Sequence, residues 1–151
     1  MARICLVAAT GTQGRTTTAA KDLFTAPWFR RARQHAETHA DAWFILTTPL
    51  GLVTPDQPMP PYTASVYNMD TAERAAWADR VATQLRPHLH PDDVVEILAG
   101  PAHAQPLAPL LTPHCAEVRI LVAGMEIGQQ LRIEPYHPAQ AGAGAEHVPG
   151  N

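Results

Sequence analysis

The sequence predicts an α/β domain of Rossmann-like layout: a small, mainly parallel sheet of four or five strands with helices on both faces. Two observations carry that expectation. Four short runs rich in Ile, Leu and Val lack the in–out alternation of a half-solvated strand, which is how strands covered on both faces read. Helix-patterned stretches lie between them, and strand–helix–strand alternation at this spacing builds parallel βαβ units with right-handed crossovers.

The strands are Ile4–Ala9, Trp43–Thr47, Val94–Ala99 and Val118–Val122. Breaks follow three of them, at Pro49-Leu50-Gly51, Gly100-Pro101 and Gly124, marking loops at one common sheet edge. A helix over Ala26–Ala40 carries Phe29, Ala32, Ala36 and Ala40 at helical spacing, with Pro27 in its first turn, where proline is tolerated. Asp70–Leu85 is the clearest helix. Asp70 and Glu73 form a variant capping box, Trp77, Val81 and Leu85 make a buried stripe, and Pro87 ends it. A third helix covers Gln105–Leu111, with Pro106 and Pro109 obscuring its start, and Gly128–Leu131 adds a turn. From Glu134 the chain turns to Pro, Ala, Gly and His, a composition that does not offset the entropy of ordering; residues 134–151 therefore read as an unfolded tail after a domain spanning 1–133.

At 151 residues, 46% hydrophobic and 17% charged, the chain has the composition of one globular domain. Its net charge of −3, with 11 Lys and Arg against 14 Asp and Glu, argues against gripping a nucleic-acid backbone over a wide face. Cys5 and Cys115 have no metal-type spacing and read as free, reduced thiols, which fits the cytoplasm. The first apolar run is too short for a signal peptide, and no run is long enough to span a bilayer.

Open parallel sheets take ligands at the carboxyl ends of their strands, where strand order reverses. That rule nominates Ala9–Asp22, Thr47–Tyr67, Gly100–Gln105 and Gly124–Gln130. The first loop, Ala9-Thr10-Gly11-Thr12-Gln13-Gly14-Arg15-Thr16, has the glycines of a phosphate cradle. Arg15 stands in place of the usual lysine, however, and Ala9 in place of the first glycine. A polar turn with a weak anion site is the plainer reading. The second loop is stiffened by Pro49, Pro55, Pro58, Pro60 and Pro61 and bears Tyr62, which fits either a pocket wall or a surface loop packed on itself. His35 and His39 are four residues apart without the glutamate of a zinc-protease helix, so these and most other histidines read as solvated. No metal site and no cofactor are expected. His103 differs by following Gly100-Pro101 at the predicted site edge. Lys21-Asp22 lies at the same mouth, as a substrate-binding pair or as a simple loop cap.

Read in order, Lys21–Thr25, Phe29–Arg33, Trp43–Thr47, Gly51-Leu52-Val53 with Pro55 and Pro61-Tyr62, Arg74–Ala78, Ile97–Gly100 and Gly124–Leu131 resemble a bacterial and phage family of uncharacterised domains. The Gly-Leu-x-x-Pro…Pro-Tyr block is distantly similar to the YaaA peroxide-stress proteins. A loosely similar block occurs in an accessory domain of archaeal tRNA-guanine transglycosylases. The resemblance covers Ile4 to Leu131 and implies an association with nucleobases or nucleic-acid handling. The family pattern has a cysteine and lysines after the first strand, a histidine before the Gly-Leu turn and an aspartate after Pro-Tyr. This chain has Ala9-Thr10-Gly11, Leu50 and Thr63 there.

These readings combine into a small-ligand protein of nucleotide or nucleobase type, with hydrolysis of an N-glycosidic or phosphate bond as its expected reaction. Asp22 and His103 are the candidate acid–base groups. Arg15 and Lys21 would meet an anion, with Thr10, Gly11, Thr47, Gly51 and Gly100 framing the site and Tyr62 or Trp43 stacking on a base. The alternative is a non-catalytic module that binds protein or nucleic acid through Arg30, Arg31 and Arg33 and the proline loop.

Overall fold

The computed structural model describes residues 1–121 and the two-residue strand Pro135–Tyr136. In chain order the elements are β1 (Arg3–Ala8), β2 (Thr18–Ala19), α1 (Ala20–Leu23), α2 (Pro27–His39), β3 (Ala42–Thr47), β4 (Gly51–Val53), β5 (Pro58–Met59), α3 (Thr71–Leu85), β6 (Val94–Leu98), α4 (Pro101–Leu111), β7 (Glu117–Leu121) and β8 (Pro135–Tyr136). The expected turn Gly128–Leu131, the loop Gly124–Gln130 and the tail beyond Tyr136 lie outside the described residues. Pro135–Tyr136, at the start of the segment 134–151, pairs with β7.

The sheet has the order β4-β3-β1-β6-β7-β8. β3, β1, β6 and β7 are mutually parallel, and the short outer strands β4 and β8 run antiparallel to their neighbours. The chain moves from β1 outward to β3, then crosses back over β1 to β6. Strand order therefore reverses between β1 and β6.

Both faces are covered, which explains the unbroken apolar runs. Ile4, Leu6 and Ala8 of β1 join Phe44, Leu46, Val95 and Ile97 against α3 and α4. Cys5 and Val7 join Ile45 and Leu98 against Phe29, Ala32 and Ala36 of α2. The Asp70–Glu73 capping box forms in full: the Asp70 side chain accepts from the Glu73 amide at 2.8 Å, and the Asp70 amide donates to the Glu73 carboxylate at 3.0 Å.

Three local departures have physical causes. Helix α4 starts at Pro101 rather than Gln105, with Gly100 as its N-cap. Proline at the first helical position costs no hydrogen bond, and Gln105 and Pro109 lie on the exposed face, where water meets the carbonyls that interior prolines leave free. The loop after β3 is not continuous coil, since β4 folds back onto β3 and β5 pairs with β2. The segment after β1 does not open a helix at Thr16. It returns on itself through a Gln13–Phe24 bridge, with Gly14 N–H bonded to Leu23 C=O at 2.7 Å, and only the single-turn α1 follows.

Candidate functional site

A cleft of roughly 230 Å³ opens at the carboxyl ends of the central strands. Its lining comes from four places in the chain. Ala9, Thr10, Gly11 and Gln13 follow β1, Thr48 follows β3, Tyr62–Tyr67 form the long wall, and His103 lies in the first turn of α4 after β6. The site thus sits where strand order reverses, as open α/β sheets require.

Cross-links fix the long wall at both ends. The Gln13 amide donates to Tyr62 C=O at 2.9 Å and accepts from Tyr62 N–H at 3.0 Å, across 49 residues of sequence. Arg74 Nε donates to Val66 C=O at 3.0 Å, and Ser65 caps the short turn Val66–Asn68 by accepting from Tyr67 N–H. Gly11 has a φ of +85°, and a Cβ there would fall 2.6 Å from the Cβ of Ala26. Gly11→Ala is therefore expected to cost about 1–3 kcal/mol, read as a lower denaturant midpoint with an unchanged m-value.

His103 forms a buried part of the lining. Its ring stands edge-on to Trp77 at 5.4 Å and to Tyr67 at 6.1 Å. Burial, aided by the nearby Arg74 charge, pushes its pKa down from 6.5 to about 4, so it is neutral at physiological pH. Its Nδ1 is buried with no hydrogen-bond partner among the described residues. Burial raises the Tyr62 hydroxyl to about 12, against a smaller opposing effect of the Thr48 backbone.

Thr10, Gly11, Tyr62 and His103 reach the cleft as expected; the other sequence candidates do not line it. Lys21 pairs with Asp56 at 2.7 Å, and Asp22 pairs with Arg33 at 3.0 Å, both toward solvent. The reason is the return through β2 and α1, which carries this segment away from the strand ends. Arg15 is exposed outside the lining. Thr47 and Gly51 shape the β3–β4 turn: Thr47 Oγ1 donates to Gly51 C=O and accepts from Leu50 N–H, and Gly51 has a φ of +72°. Gly100 caps α4, and Trp43 packs in the α2 layer. Arg30, Arg31 and Arg33 are likewise absent from the lining; Arg33 is held by Asp22 and Glu37. Sequence reading missed Gln13, Thr48, Tyr67 and Arg74. Gln13, Thr48 and Tyr67 lay in nominated loops without being singled out, whereas Arg74 gains its place only through contact with a distant segment, at Val66 C=O.

The architecture defines a small doubly wound α/β domain with its concavity at the topological switch point. Residues 4–134 match the model of a family of unknown function (DUF6884), and the chain belongs to that family. Neither the curated proteins nor the solved structures contain a match. Among the described residues, no helix is long and apolar enough to cross a membrane.

Proposed function

We propose that this chain binds a small ligand of nucleobase or nucleotide type in the cleft above β1, β3 and β6. His103 carries the reading. Its buried, unpaired Nδ1 costs about 1–3 kcal/mol, which a ligand group recovers when the ring turns to present that atom to the cleft. A neutral imidazole offers one donor and one acceptor, matching the N–H and carbonyl pattern of base edges. Tyr62 and Tyr67 supply aromatic surface, and Thr10, Thr48 and Thr63 supply uncharged hydroxyls. Among the described residues the lining contains no lysine, arginine or carboxylate, which favours the base over a phosphate as the part gripped. The distant YaaA-like block supports the same ligand class. For hydrolysis at an N-glycosidic or phosphate bond, His103 would serve as proton acceptor, since burial keeps its ring neutral near pH 7.

Thermal shifts across bases, nucleosides and nucleotides test this. At a ligand concentration a hundredfold above Kd, stabilisation is about 2.7 kcal/mol, several degrees in Tm. The shift should vanish in His103→Leu. A flat response to the whole panel removes the proposal, and a shift that survives in His103→Leu moves the binding elsewhere.

One observation favours a non-catalytic module instead: Asp22, the carboxylate expected to assist a reaction, is tied to Arg33 outside the cleft. On that reading the ligand binds without turnover. A salt-sensitive gel shift with RNA or DNA would point to the exposed Arg30 side of α2 as the contact.

A further inference from the structure

On the α2 face, toward the opposite end of the sheet from the cleft, the strand register lines up groups far apart in sequence. Cys5 of β1 lies beside Glu96 of β6, and Glu96 beside Arg119 of β7. Helix α2 lowers His35 onto this row. His35 was expected to be solvated; it lies instead 3.2 Å through Nε2 from Glu96 Oε1. Cys5 Sγ approaches the same oxygen at 3.3 Å. The three ligand-type atoms all fall within 4.8 Å of one another.

From this we infer a transition-metal site of zinc type, with Cys5 Sγ, His35 Nε2 and Glu96 Oε1 as ligands. Zinc–sulfur, zinc–nitrogen and zinc–oxygen bonds of about 2.3, 2.0 and 2.1 Å put the donors of a tetrahedral ion about 3.3–3.6 Å apart. The Cys5–Glu96 spacing of 3.3 Å falls in that range and His35–Glu96 at 3.2 Å lies just below it, while Cys5 and His35, within 4.8 Å, draw together as the ion binds. Thiolate, imidazole and carboxylate together select a borderline-soft ion over magnesium or calcium. Three protein ligands leave one position for water.

The site also has outer support. Glu96 Oε2, the oxygen turned away from the set, has Arg3 at 3.6 Å and Arg119 at 3.7 Å, which fixes the carboxylate's orientation. Those cations do not bar an ion. Binding releases the thiol proton, so a dication adds one net charge, and Glu117 already offsets Arg119 at 2.7 Å. The His35 side chain, 21% exposed, provides the way in.

The test uses the full chain with Zn²⁺ and with Co²⁺ as a spectroscopic probe. One equivalent should bind, with Co²⁺ giving a thiolate charge-transfer band and tetrahedral d–d absorption. Cys5→Ala should abolish the charge-transfer band while circular dichroism shows the fold retained. His35→Gln, on a helix surface and milder for folding, should weaken Zn²⁺ binding at least about tenfold. Absence of the band in wild type, or Zn²⁺ affinity unchanged in both variants, overturns the assignment and leaves adventitious binding by the chain's other histidines.

Discussion

Acidification from neutral pH to about 4 should destabilise the fold by about 3 kcal/mol through His103 alone. The ring titrates near its ordinary 6.5 in the unfolded chain and at about 4 in the folded one. Between those values the unfolded state binds more protons, so stability rises with pH across the window. The stabilisation is complete above 6.5 and is lost as pH falls toward 4. Carboxylates lose their own contributions mainly at lower pH, so the upper part of the slope reports the imidazole. Urea unfolding at half-unit pH steps measures it. In His103→Leu the slope between pH 6.5 and 5 should flatten, with little loss at pH 7 because the replaced Nδ1 has no partner to forfeit. An unchanged slope in that variant rules out this origin.

Trp77→Ala should cost about 3–5 kcal/mol, the usual range for emptying a buried aromatic site. Trp77 is 4% exposed, and its indole N–H donates to Thr47 C=O at 3.0 Å, tying α3 to the end of β3 beside the cleft. It also flanks His103. Trp77→Phe keeps most of the volume but leaves the Thr47 carbonyl without its donor, so it should cost about 1–3 kcal/mol. Denaturation followed by circular dichroism gives both numbers. The two variants should also shift the His103 ring pKa upward in an NMR titration, as water gains access to it. A Phe variant as stable as wild type would show that the indole hydrogen bond contributes nothing.

The layered fold was legible because burial on both faces writes itself into composition. Ile4–Ala8 and Val94–Leu98 are apolar throughout except Glu96, and Asp70 with Glu73 announces the start of α3. The start of α4 was hidden by Pro106 and Pro109, which penalise a helix unless their missing donors face water. One rule about strand ends singled out a third of the described lining, Thr10, Gly11, Tyr62 and His103, and its nominated loops contain the rest. Lys21 and Asp22 lie outside the cleft because residues near a strand end in sequence need not stay near it in space, and the β2–β5 pairing carries them off. Glu96 is the one charged residue in β6. Only the register of β1, β6 and β7, with the phase of α2, reveals its company.

The Gln13 clamp on Tyr62 joins two loops before any guest arrives, and Arg74 does the same at the far end of the wall. Among the described residues, these ties hold the walls in place without a lid. On the proposed ligand-binding reading, association should therefore proceed in a single concentration-dependent phase, with selectivity following how well a guest's outline suits the described walls.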